Sequence, residues 1–295
     1  MRKEIEINAE GVILRGWLYT PDDKSKLAPA VVMAHGFSGV KEQYLDRYAE
    51  VFSTAGMAAL VFDHRNFGAS DGTPRQEIDP WQQIRDYRHA ITFAGTLPEI
   101  DNNRIGIWGT SYSGGHVLVV GAIDSRVKCI VAQAPTISGS ANAQRRVRSD
   151  LVAATIQRLN EDRVARFEGK DPTMIPVVGK ELTTVCALAG EEPWAFFQGS
   201  TSIAPEWRNE ITLRTVEMAR EYEPGVYIPR ISPTPLLMIV CTQDTVTPTD
   251  LTLNGYEQAL QPKKLVLLNG GHFVPYTDLF EDSSNAAKDW FTKYL

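Results

Sequence analysis

The stretch from Ile105 to Gly115 constrains this chain more than any other. It reads Ile105-Gly106-Ile107-Trp108-Gly109-Thr110-Ser111-Tyr112-Ser113-Gly114-Gly115. An apolar run of strand length leads into a serine set among small residues, and a run able to form a helix, Gly114–Ile123, follows at once. A strand that turns into a helix so sharply brings the two backbones nearly into contact, so the positions two before and two after the turn must be small. Gly109 and Ser113 meet that demand, with serine standing where glycine is usual. The turning residue projects its side chain above the sheet edge, which makes Ser111 the candidate nucleophile.

Such a turn belongs in a sheet whose strands alternate with helices. Glu4–Ile7 and Val12–Tyr19 read as antiparallel opening strands, with Gly11 near the turn. Ala30–Ala34 and Ala58–Phe62 are apolar throughout, as buried strands are, with a helix over Leu45–Ala55 between them. Asp79-Pro80 opens a long helix whose residues Trp81, Ile84, Tyr87 and Ile91 recur at three and four positions, predicting one buried face. Strands Ile105–Trp108 and Cys129–Ala132 follow. The pattern resumes with strand Leu236–Cys241, helix Thr249–Leu260, strand Leu265–Leu268 and a helix from about Ser283 to Tyr294. This alternation predicts an α/β fold with a doubly wound, mostly parallel sheet.

Between Ile137 and Ser232 the rhythm breaks. Arg146–Phe167 reads as an amphipathic helix with Leu151, Val152, Ile156, Leu159 and Val164 on its apolar side, and Glu210–Tyr222 as another. A structureless loop of that length is improbable in a compact domain. The expected organisation is a core over residues 1–136 and 233–295, with a helical cap insertion over 137–232.

A serine hydroxyl needs a base to take its proton during attack. His272, in Asn269-Gly270-Gly271-His272, directly follows the last predicted strand and is that base. His116 is turned away on the helix after Ser111. His35 shapes the loop after its strand, and His64 and His89 read as loop and helix-surface residues. A carboxylate should hold the imidazole, and behind such a turn the chain order is serine, acid, histidine. Asp244, just past Leu236–Cys241, fits. Asp250 competes, but Thr247-Pro248-Thr249-Asp250 looks like a helix start, where aspartate has a capping task. Donors for the developing oxyanion are expected from the backbone N–H groups of Tyr112 and Phe37, the latter in His35-Gly36-Phe37-Ser38-Gly39. Trp194, Phe196, Phe197 and Trp207 are the insertion's aromatics, expected to roof an apolar acyl pocket, with Trp194, Phe197 and Trp207 as substrate contacts.

The 295 residues carry 36 acidic and 30 basic side chains, a net charge of -6, with the bases dispersed. Arg145, Arg146 and Arg148 form the one local basic run and read as a solvated helix face, so no nucleic-acid partner is expected. Cys129, Cys186 and Cys241 are widely spaced, with no disulfide framework or metal-ligand spacing, and no Walker or dinucleotide fingerprint is present, so no metal and no cofactor are expected. The apolar runs are of strand length and the N-terminus is charged. A cytoplasmic protein without membrane association is the expectation.

The motif Asp63-His64-Arg65-Asn66-Phe67-Gly68-Ala69-Ser70-Asp71-Gly72 completes a set: His35-Gly36, this motif and the serine turn occur in the order found in the α/β-hydrolase superfamily, which the chain resembles outside the insertion. With Asp79-Pro80-Trp81 and Asp86-Tyr87-Arg88, the wording resembles dienelactone-hydrolase-like and Xaa-Pro-peptidase-like enzymes, including thiohydrolases and acyltransferases of polyketide pathways. The resemblance implies that Asp63 and Arg65 hold their loop by charge-assisted hydrogen bonds. Dienelactone hydrolases proper have cysteine where this chain has Ser111. The function expected is hydrolysis of carboxylic esters or acyl thioesters through an acyl-serine intermediate, with a small-molecule acyl ester or thioester as partner. Acyl transfer, peptidase activity, a non-catalytic ligand-binding role and homo-oligomer formation stay open.

Overall fold

Residues 1–23 and 25–295 are described by a computed structural model. β1 (Arg2–Ala9) and β2 (Val12–Tyr19) form an antiparallel hairpin, turned at Glu10 and Gly11, both with positive φ. Then β3 (Ala28–Ala34), α1 (Leu45–Thr54), β4 (Ala58–Phe62), α2 (Pro80–Thr96), β5 (Ile100–Thr110), α3 (Tyr112–Ile123) and β6 (Val127–Gln133) alternate. After the insertion come β11 (Leu236–Cys241), α8 (Thr249–Gln258), β12 (Lys263–Leu268) and α9 (Phe280–Tyr294). The main sheet runs β1-β2-β4-β3-β5-β6-β11-β12 and is parallel from β4 to β12, so the doubly wound sheet is as expected.

Strand side chains alternate between faces, and this alternation sorts the core into two layers. Val32 and Ile107 pack with Ile84 and Tyr87 of α2 and Val117 of α3. Val31, Met33 and Trp108 pack with Tyr48 and Phe52 of α1 and Trp290 and Phe291 of α9. Because these strands are parallel, β3, β5, β6, β11 and β12 all end at one edge, where a doubly wound sheet presents its site.

Residues 137–232 carry α4 (Gly139–Arg146), α5 (Val152–Phe167), α6 (Glu191–Gly199) and α7 (Leu213–Glu221). Among them lie the two-residue strands β7 (Met174–Ile175), β8 (Val178–Gly179), β9 (Leu188–Ala189) and β10 (Ile211–Thr212). The helix expected over Arg146–Phe167 is broken: α4 ends at Arg146 and a 3₁₀ turn, Ser149–Leu151, precedes α5. Of its expected apolar side only Leu159 is buried, and Leu151, Val152, Ile156 and Val164 stay exposed. The α5 helix docks on α7 by its polar side instead, with Arg166 bridging Asp162 at 2.8 Å and Glu217 at 3.1 Å. Ile211–Thr212 pairs with β7 rather than joining the helix expected from Glu210, and the Thr212 hydroxyl caps α7. Trp81 also departs from the expected buried face of α2: it is 40% exposed, with its ring edge-on to Tyr222 and Tyr227. No helix among the described residues is long and apolar enough to cross a membrane.

Candidate active site

The β5–α3 turn imposes its geometry on Ser111, which has φ 56° and ψ -115°. That is a sparsely populated conformation for a residue with a side chain, and it persists only where the surroundings enforce it. Here the Ser111 N–H donates to the Gln133 carbonyl at 2.8 Å, and the Ser111 carbonyl accepts from Thr136 N–H at 2.9 Å. A Cβ on Gly109 would fall 2.1 Å from the Ser113 carbonyl oxygen, which is why this position tolerates only hydrogen.

His272, from the loop after β12, brings Nε2 to 2.9 Å from Ser111 Oγ, while its Nδ1 lies 2.6 Å from Asp244 Oδ2. Asp244, from the loop after β11, also accepts Val246 N–H at 2.8 Å and Thr247 N–H at 2.7 Å on Oδ1, and the Thr247 hydroxyl lies 2.8 Å from Oδ2. Burial would raise the pKa of Asp244, but neighbouring His272 and the Thr247 hydrogen bonds hold it below the ordinary carboxylate range. An ionised carboxylate can only accept, so Nδ1 carries the imidazole proton and Nε2 is left to accept from Ser111. All three residues are buried. Asp250 is elsewhere: it is exposed and paired with Arg145 at 2.5 Å. The predicted helix start is real, but the cap position is Pro248, not Asp250.

The loop after β3 closes over the nucleophile. A Cβ on Gly36 would approach Ser111 Cβ to 2.9 Å, so glycine is what lets the two backbones meet. Phe37 follows, and its N–H makes no hydrogen bond among the described residues. Tyr112 opens α3, where an N–H has no acceptor within the helix. Asp63 anchors this loop by accepting Lys41 N–H at 2.7 Å and Lys41 Nζ at 2.8 Å, and Arg65 donates to Asp86 at 2.6 Å.

Ser111 and His272 open into a cavity of about 570 Å³ with Phe37, Phe196, Phe197, Phe273 and Tyr276 on its wall. The other two expected substrate contacts are off that wall. Trp207 stands behind Phe197, ring stacked on ring at 5.0 Å, and half-buried Trp194 packs against the core instead. A separate open groove on the outer face of α5, with Ile156 and Val164 on its wall, holds none of the candidate catalytic residues.

The sequence pattern of the X-Pro dipeptidyl-peptidase (S15) family matches residues 10–274. The chain belongs to this family. The thiohydrolase aneE of Aspergillus aculeatus is 35% identical, over 89% of this chain and 83% of its own. The polyketide transferase grgF of a Penicillium species is 31% identical, over 100% and 97%. The crystal structure of the α/β hydrolase GrgF from Penicillium sp. sh18 superposes with a TM-score of 0.85 at 29% identity, covering 100% of this chain and 99% of that one. This S15 member is therefore an enzyme of the α/β-hydrolase superfamily, in the class of hydrolases and acyltransferases.

Several residues around the site escaped the sequence reading. Small size accounts for only part of Ser113, whose hydroxyl bonds both His35 and His64. His64 lies in the loop after β4, as expected, and is buried there, which pushes its pKa well below the ordinary histidine value. Thr247, three residues past an aspartate, has the spacing of a local side-chain turn, a signal that was available. Glu192 of α6 accepts Phe273 N–H at 3.3 Å and so ties the insertion to the His272 loop. Arg146, exposed at the end of α4, also lines the cavity.

Proposed function

We propose that this enzyme is a serine hydrolase that cleaves acyl esters or acyl thioesters through a covalent acyl-Ser111 intermediate. The observation that carries the reading is the 2.9 Å approach of His272 Nε2 to Ser111 Oγ on a strained turn, with Asp244 fixing the far side of the ring. In this reading Ser111 Oγ attacks the acyl carbonyl carbon as its proton passes to His272 Nε2. The imidazolium so formed is stabilised by Asp244 through Nδ1–H. The N–H groups of Phe37 and Tyr112 receive the carbonyl oxygen as it becomes an oxyanion. Collapse expels the alcohol or thiol, which takes the proton back from His272. Water then repeats the sequence on the acyl-serine and releases the acid. An acceptor alcohol or amine in place of water would make the same site an acyltransferase, a second reading favoured by the likeness to the polyketide transferase grgF.

Residues 137–232 act as a cap in this reading, and the apolar ring around Phe197 takes the acyl chain. A wall of aromatic side chains suits an acyl group better than the polar backbone of a peptide. Esters and acyl thioesters should exceed Xaa-Pro anilides by about 10²-fold or more in kcat/KM, roughly 3 kcal/mol. The direct test is covalent. A fluorophosphonate should label the wild type on Ser111, and Ser111→Ala should lose both label and about 10⁴-fold or more of turnover. A folded Ser111→Ala protein keeping a tenth of wild-type turnover would reject the assignment. Efficient anilide cleavage with negligible ester turnover would turn it into a peptidase.

A further inference from the structure

The cavity over Ser111 is lined by Arg145, Arg146, Arg148, Arg158 and Arg220, and by no aspartate or glutamate among the described residues. This one-sign lining occurs in a chain whose acidic residues outnumber its basic ones, 36 to 30. Two of the five guanidiniums are already neutralised, Arg145 by Asp250 at 2.5 Å and Arg148 by Asp150 at 2.9 Å. Arg146, Arg158 and Arg220 have no carboxylate partner among the described residues. They come from three insertion helices that pack together: Arg146 ends α4, Arg158 lies on α5 and Arg220 is in the last turn of α7, which contacts both.

Arg146 is the most telling of the three. Its Nη2 donates to the Val246 carbonyl, two residues from Asp244, which leaves most of its fork of donors free. It is exposed to solvent and faces the open volume of the cavity. A guanidinium with free donors and no counter-charge, in a cavity lined by no carboxylate among the described residues, can pair with a bound anion through charge-assisted hydrogen bonds.

We propose that the substrate carries an anionic group, a phosphate or a carboxylate, bound by Arg146 together with Arg158 and Arg220 while its acyl carbonyl lies at Ser111. This rests on the acyl-serine reading above and narrows its substrate class. The anion has two chemical sources. It is either the phosphate on the leaving thiol of a phosphopantetheine thioester or a carboxylate at the far end of the acyl chain. A neutral ester would leave the guanidiniums unpaired, which is how a charged lining rejects substrates of the right shape and the wrong charge.

The test separates binding from turnover. With the full-length Ser111→Ala protein, calorimetry compares three ligands: S-hexanoyl pantetheine, its 4′-phosphate, and S-adipoyl pantetheine, which places a carboxylate at the chain end. At least one anionic ligand should bind about tenfold or more tightly than the neutral parent, the scale of a charge-assisted contact, with the preference weakening as salt rises. Preference for the phosphate places the anion on the leaving arm, and preference for adipoyl places it on the acyl chain. Adding Arg146→Gln should bring the ratio toward unity, and Arg220→Gln provides the same reading should the first variant not fold. Equal or tighter binding of the neutral parent overturns the proposal. So does failure of both anionic ligands to bind at millimolar concentration, or a preference that both arginine variants leave intact. Wild-type protein labelled on Ser111 by fluorophosphonate but showing no anion preference rejects the charge inference alone. Absent labelling rejects the acyl-serine reading, and the affinity comparison still decides whether the arginines bind an anion.

Discussion

The Ser113 hydroxyl donates to the carbonyl oxygen of His35 at 2.5 Å. With its one proton committed there, its oxygen accepts from His64 Nε2 at 2.8 Å. The residue two past the nucleophile thus ties the start of α3 to the loop that carries Phe37. Replacing it by alanine strands a buried carbonyl and a buried imidazole N–H, at about 1–3 kcal/mol of stability. Losing an oxyanion donor outright costs 10²–10³-fold, so a loosened Phe37 loop should cost less: about tenfold in kcat with little change in KM. Steady-state kinetics beside urea melts decide it. A destabilised Ser113→Ala protein with wild-type kcat would make Ser113 purely structural.

Asp244 and Asp250 should separate cleanly. Asp244→Asn presents the wrong partner to Nδ1–H and should lower kcat by about 10⁴-fold. Asp250→Asn removes only an exposed pair with Arg145, so both its kcat and its stability should stay close to wild type. Measuring kcat and unfolding for both variants is enough. Reversed ranks would put the acid at Asp250.

Acyl-chain preference should follow Phe197. It is on the cavity wall, and Phe197→Ala should extend the pocket and favour longer or bulkier acyl groups, by about 1–3 kcal/mol per methylene-scale change. Trp207→Ala should move the profile the same way and less, because Trp207 reaches the pocket only through the stacked Phe197 ring. A graded ester series from acetyl upward reads both. A Phe197→Ala profile identical to wild type would place the acyl pocket elsewhere.

Asp124 supplies a pH-dependent part of stability. Burial would raise its pKa, but hydrogen bonds from Arg126 and Arg88 hold the carboxylate at about 2, below the ordinary value. A depressed native pKa stabilises the fold above the unfolded value, and that stabilisation is lost as pH falls through the window from about 4 to about 2. After allowance for solvent around these arginines, the contribution is about 1 kcal/mol at neutral pH. The stability gap between wild type and Asp124→Asn, followed by denaturant melts from pH 7 to 3, should close toward acid. A gap that widened toward acid would contradict the ion pairing.

What could be read from the chain and what could not divide along a physical line. The sheet was legible because each buried strand is apolar end to end, and the Ser111 turn because close backbones demand small neighbours at fixed spacing. Asp244 and His272 were legible because they stand just past strands that must end at the same edge. The insertion was not, since its helices meet through part-buried polar contacts such as Arg166 with Glu217 and leave Ile156 and Val164 in solvent. Periodicity alone assumes the reverse. Arg146 is exposed, as its charge suggests, and only the fold shows that the face it stands on opens into the cavity. The aromatic residues misled in another way, because Trp207 and Phe197 are equally apolar and only packing puts one ring in front of the other.

Thr136, whose N–H holds the Ser111 carbonyl, lies just past the end of β6 at Gln133, where the chain enters residues 137–232. The point where residues 137–232 leave the core is therefore stapled to the strained Ser111 turn. A substitution in the outer helices leaves that staple in place, so the far wall of the cavity can vary while the turn beneath it stays fixed.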